Sequence, residues 1–186
     1  MLVDFLTFIP IYLRETLEIS PGAASTSSSS FLLGMFVALI AAGIFYDRFS
    51  KSQLVWVIGG QLVLACGCVL LMKSFSSLGI QESMRVPLAV GTLFAFGFLI
   101  ATAYYLPMSI FAVALGGPHS GFLIALIDIF GYAAALLFNY FGGSIAEDHG
   151  WNFFLKVLLT VGIVATVTTT TFLFLDAWAE KKKYRE

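Results

Sequence analysis

Long apolar runs separated by short polar segments set the layout of this chain. They occupy Phe31–Tyr46, Leu54–Met72, Val86–Leu115, Gly121–Ala146 and Phe153–Trp178, after a shorter run over Met1–Leu13. An α-helix rises about 1.5 Å per residue and the hydrocarbon core of a bilayer is roughly 30 Å thick, so about 20 apolar residues make one crossing. Unpaired backbone amides are intolerable in hydrocarbon, and a run of this length pairs its own amides only as a helix. The pattern therefore predicts an all-α integral membrane bundle of six helices over residues 1–179, followed by a basic tail at 180–186. Met1–Leu13 is too short to cross alone. It has no basic start and carries Asp4 within its apolar part, so it reads as the outer part of a span whose beginning is missing rather than as a secretory signal.

Between the spans lie Arg14–Ser30, Asp47–Gln53, Lys73–Arg85, Gly116–Ser120 and Glu147–Asn152. Successive connections alternate sides of the membrane. One side then collects Arg48, Lys51, Lys181, Lys182, Lys183 and Arg185, and the other Arg14, Lys73 and Arg85. Basic residues concentrate on the cytoplasmic side of multi-pass proteins, which predicts a cytoplasmic C-terminus and an external Glu147–Asp148 corner. The serine-rich stretch Ser25–Ser30 reads as a polar external loop leading into a helix.

Composition agrees with a lipid environment. The chain is 59% hydrophobic and 11% charged, where a soluble domain carries about a quarter charged residues. A net charge of −1 gives no reason to expect nucleic acid as a partner. Cys66 and Cys68 sit inside an apolar span without the companions a metal site needs, and read as small packing residues. His119 and His149 both fall at loops, and no nucleophile is paired with a base. The sequence therefore predicts neither an enzyme nor a cofactor.

Helices in lipid associate through small residues that let backbones approach. Such residues recur at Gly34, Ala38 and Ala42, at Gly97 and Ala101, and at Gly121 and Ala125, which predicts a compact bundle.

Asp128 is the ionisable residue deepest in a complete span. An aspartate at mid-helix costs about 2.5–3.5 kcal/mol on insertion scales, so it should face protein or water. Helical spacing puts Gly121, Ala125, Asp128, Tyr132, Ala135 and Asn139 on one face. That face is either a wall of an aqueous solute pathway, with Asp128 binding a proton or a cationic group, or an interhelical contact. In the preceding span Thr102, Tyr105 and Ser109 share a face, and Pro107 lies between the last two. Thr102 and Tyr105 are added to the candidate pathway residues Asp128, Tyr132 and Asn139. The threonines Thr160, Thr166 and Thr168–Thr171 can spend their hydroxyls on the preceding helical turn.

Between the second and third spans stands Gly43-Ile-Phe-Tyr-Asp47-Arg48-Phe-Ser-Lys51. It resembles the G-x-x-x-D-R-x-x-K/R signature of the major facilitator superfamily. That resemblance implies a gating latch made of Gly43, Asp47, Arg48 and Lys51. Further segments, Phe8-Ile-Pro10-Ile-Tyr12-Leu-Arg14-Glu15, Gly97-Phe-Leu-Ile, Ile129-Phe130-Gly131-Tyr132, Gly142-Gly-Ser-Ile-Ala and His149-Gly150-Trp151, are similar to the organophosphate:phosphate antiporters in the same order along the chain. The resemblance implies the C-terminal six-helix half of a twelve-helix secondary carrier. Its partners would be the lipid bilayer, a small-molecule solute and an N-terminal six-helix half in the same or another chain. Two family positions depart: a phosphate-facing arginine would fall near Leu2, and a tyrosine near Ala101. An ionised Asp128 would also repel a phosphate dianion. The rival reading is a non-transporting assembly or regulatory protein that has kept a half-bundle.

Overall fold

The computed structural model describes residues 2–45, 48–75, 77 and 79–183, with side chains at all of these except 2–6, 45, 104–111, 113–115, 180, 181 and 183. The described residues are helical throughout, with no strand. The order is α1 (Leu2–Leu17), α2 (Pro21–Phe45), α3 (Lys51–Ser74), α4 (Glu82–Gly116), a 3₁₀ turn (Gly117–His119) and α5 (Ser120–Lys183). Four stretches are long and apolar enough to cross a membrane: Pro21–Ile44, Lys51–Ser74, Glu82–Ala103 and Gly117–Ala179.

The last of these is two arms. Gly150 has φ 76° and ψ 166°, a non-helical conformation inside α5 that glycine adopts without steric cost. The rings of Phe138 and Phe154, on either side of it, lie 5.6 Å apart. Sixteen residues of straight helix would separate them by roughly 24 Å, so the chain doubles back at Gly150. The expected Glu147–Asn152 loop is reduced to this one break between a 120–149 arm and a 151–183 arm.

Two other boundaries correct the sequence reading. First, α1 continues to Leu17, four residues beyond the apolar run, and the connection to α2 shrinks to 18–20. Second, Ser25–Ser30 is not a loop but lies in the second and third turns of α2. Ser20 starts that helix by accepting from the Ala23 amide at 3.3 Å, with Pro21 as its first residue. The hydroxyls of Thr26, Ser28 and Ser29 then bond back to the carbonyls of Gly22, Ala24 and Ser25. Serine satisfied in this way is compatible with a buried helix: Ser28 and Ser30 are buried and donate to the carbonyls of Ala24 and Ser27, whereas the buried Ser27 hydroxyl has no partner among the described residues.

The closest helix pair is α2 with α4. A Cβ on Gly34 would collide with the backbone carbonyl of Phe94, and one on Gly97 with that of Phe31. The two glycines thus let the backbones touch, and Ala38 and Ala101 are buried beside them. Gly121 and Ala125 differ from expectation. Both are exposed, and Gly121 has open space where a Cβ would sit. These two small residues therefore make no helix contact, whereas Ala135 and Gly142 of the same arm are buried.

Contacts define two ends. At one, Lys51 of α3 pairs with Asp176 of the 151–183 arm at 3.1 Å. At the other, Tyr12 of α1 donates to the carbonyl of Met72 in α3, and Arg85 of α4 donates to the carbonyl of Leu17 at 2.9 Å. The Gly150 corner joins this second end, because Trp151 donates its indole N–H to Glu15 at 2.7 Å. Phe8, Phe138 and Phe154 pack beneath it, with ring centroids 5.4–6.1 Å apart.

Candidate functional site: an outward polar face and a charged helix end

The predicted gating residues surround the start of α3. Ser50 and Gln53 form a reciprocal capping box there, in which Gln53 Oε1 accepts from the Ser50 amide at 2.9 Å. This fixes where Lys51 emerges and directs it to Asp176. Arg48 is exposed. Asp47 lies outside the described residues. Gly43 is exposed, with no described atom within 4 Å of the position a Cβ would take. Asp176, the acid that completes this cluster, carried no sequence signal beyond being an acid near the end of an apolar run.

The pathway residues divide into two groups. Thr102 is 1% exposed and donates to Gln61 of α3 at 2.8 Å, so its hydroxyl is used between helices. Gln61 is a partner that the sequence reading missed, although an amide in the middle of an apolar span is a visible signal. The side chain of Tyr105 lies outside the described set.

The second group sits on the 120–149 arm, and one of its members is exposed. Tyr132 is 76% exposed. Asp128, one turn before it, is half-buried and makes no hydrogen bond or ion pair with another described residue. Asn139 is half-buried and engaged with a neighbour. Ala135 on the same stripe is buried, so the stripe turns into the bundle toward the Gly150 corner. No hydrogen bond among the described residues joins Thr102 to Asp128. This part of the arm thus carries a half-buried carboxylate without a partner among the described residues and an exposed phenol, beside exposed apolar side chains that include Ile129, Phe130 and Leu136. Such a surface can bind a polar solute or a proton, or meet a complementary face. Among the described residues no cluster of His, Cys, Asp and Glu is arranged to hold a metal ion.

The sequence pattern that defines the Major Facilitator Superfamily matches residues 3–185. The chain belongs to this superfamily. It is 24% identical over 188 aligned positions to the Glucose-6-phosphate exchanger SLC37A2 of Xenopus laevis, a match covering 98% of this chain. The chain spans 37% of that relative's length. No solved structure matches it. Superfamily membership and the apolar helices make this an integral, multi-pass membrane protein of a carrier family and not an enzyme. Resemblance to the organophosphate:phosphate antiporters is supported by the same relative.

Proposed function

We propose that this chain forms the C-terminal six-helix wall of a secondary carrier that exchanges small phosphorylated solutes for phosphate. The observation that carries the reading is the pair Asp128 and Tyr132, a half-buried carboxylate and an exposed phenol one turn apart inside a membrane-length helix, without partners among the described residues. A lipid-facing surface excludes such groups, so this face looks onto water or protein. Carriers of this kind hold their site near the bilayer midplane between two six-helix halves and expose it by rocking one half against the other. The solute class rests on the relative, whose name gives glucose 6-phosphate as its cargo.

Chemistry constrains the mechanism further. A phosphate dianion and an ionised Asp128 repel each other, so this reading requires that the carboxyl be neutral while it faces the bound solute. Tyr132 then offers a phenolic donor to the solute one turn away. The Lys51–Asp176 pair fixes the α3 start beside the 151–183 arm, and the Gly43–Lys51 segment acts as the latch at that end. This end, with the basic tail, faces the cytoplasm. Both arms of α5 count as spans in this reading, and the 16-residue α1 contributes to a sixth.

The test is exchange in proteoliposomes containing this chain together with its N-terminal half. Uptake of labelled glucose 6-phosphate should saturate and should require phosphate inside the vesicle. Folded, inserted protein that performs no exchange with either solute would favour the non-transporting reading.

A further inference from the structure

Between α3 and the 151–183 arm, at the end that holds the Lys51–Asp176 pair, lies an open groove of about 190 Å³. It is lined by Ser52, Val55, Trp56, Phe174, Ala177 and Trp178. Its aromatic walls are not core residues. Trp56 is 81% exposed, and Phe174 and Trp178 are each 59% exposed. Away from the groove both helices turn large apolar side chains outward, among them Val63, Leu64, Val164 and Val167. The exposed Thr160 and Thr168 return their hydroxyls to the carbonyls of Lys156 and Val164. A surface of this composition is suited to contact with acyl chains.

We propose that the groove seats an anionic phospholipid. Trp56 stands five residues into α3, about 7.5 Å below its start, which is the depth at which tryptophan settles between headgroups and chains. The two indoles and Phe174 wall an acyl chain, and the Ser52 hydroxyl lies at the mouth. Charge selects the headgroup. In sequence, the segments 47–51 and 176–186 carry Arg48, Lys51, Lys181, Lys182, Lys183 and Arg185 against Asp47, Asp176, Glu180 and Glu186. Basic residues are in excess even with Lys51 committed to Asp176, and Arg48 and Lys182 are exposed. A basic cluster beside a groove between spans recruits acidic rather than zwitterionic headgroups. The inference goes beyond the carrier reading and does not depend on it, because it concerns the lipid-facing side of the bundle.

The test uses tryptophan fluorescence of the whole chain in phosphatidylcholine nanodiscs that contain a minor fraction of lipid with brominated chains. Subtracting a Trp56→Phe/Trp178→Phe double variant isolates the two groove indoles from Trp151. Brominated phosphatidylglycerol should quench them several-fold more than the same amount of brominated phosphatidylcholine. Filling the groove with Ala177→Phe, or neutralising the surface with Arg48→Gln/Lys182→Gln, should each bring the ratio close to one at unchanged helix content. The charge variant changes only exposed side chains and so remains informative if Ala177→Phe fails to fold. Equal quenching by the two lipids in the wild-type chain would overturn the proposal, leaving an ordinary aromatic belt. So would a preference that survives neutralisation.

Discussion

Gly34 of α2 and Gly97 of α4 are reciprocal contacts: each lies against a backbone carbonyl of the other helix, at Phe94 and Phe31 respectively. Added methyl groups at these positions meet rigid backbone, which cannot move aside as a flexible side chain would. Gly34→Ala or Gly97→Ala should therefore destabilise the bundle by about 1–3 kcal/mol, the usual cost of overpacking. Gly43→Ala is the control, since its Cβ position is open. It should be neutral or stabilising by up to about 1 kcal/mol from helix propensity alone. Unfolding in mixed micelles of increasing SDS fraction measures all three, and a harmless Gly97→Ala would contradict the close approach.

The Lys51–Asp176 pair joins α3 to the 151–183 arm, but both side chains are part-exposed, at 45% and 34%. Exposed pairs contribute about 0.2–1 kcal/mol, so the pair cannot be a main source of stability. A double-mutant cycle with Lys51→Met and Asp176→Asn should give a coupling energy within that range, reduced by added salt. The exchanged pair Lys51→Asp/Asp176→Lys should recover most of what either reversal loses. A coupling unaffected by salt would show that the pair is shielded from solvent, contrary to its exposure.

Thr102 and Gln61 form the polar link between α4 and α3, at 2.8 Å. Hydrogen bonds between membrane helices contribute about 0.6 kcal/mol on average and up to roughly 1.7 kcal/mol. Thr102→Val, close in shape, should lower stability by an amount in that range, while Thr102→Ser should lose less. Because the hydroxyl is buried between helices, the KM for exchanged solute should stay within a factor of two or so of wild type in Thr102→Val, on the order of 0.4 kcal/mol. Kinetics and unfolding of the same preparation check both parts, and a large KM change would return Thr102 to the solute pathway.

Much of the bundle was legible from apolar run lengths alone, because hydrocarbon thickness sets how many residues a crossing needs. The Gly34 and Gly97 contact was also readable, from small residues at helical spacing. Ser25–Ser30 was not, because composition suggests a loop while the hydroxyls satisfy themselves on the helix's own carbonyls. Yet Ser20-Pro21 is a helix-start signature and was present in the sequence. Of the candidate site, the Asp128–Tyr132 face followed from helical periodicity. Its direction did not, since periodicity says which residues share a face and not what that face meets. The roles of Gln61 and Asp176 depend on neighbours 41 and 125 positions away in sequence, Thr102 and Lys51, which local patterns cannot supply.

Asp128 is where the carrier reading is most exposed to test. It is half-buried, without a partner among the described residues, one turn from an exposed tyrosine. Asp128→Asn keeps the volume and much of the hydrogen bonding but cannot take up or release a proton. Asp128→Leu removes both capacities and serves to reveal a structural role through lost abundance. The decisive measurement is phosphate-driven uptake of labelled glucose 6-phosphate at several pH values, in proteoliposomes holding equal amounts of folded wild type and Asp128→Asn with the N-terminal half. The account predicts that wild-type exchange varies with pH and that this variation disappears in Asp128→Asn. Wild-type kinetics and an unchanged pH profile in Asp128→Asn would contradict it.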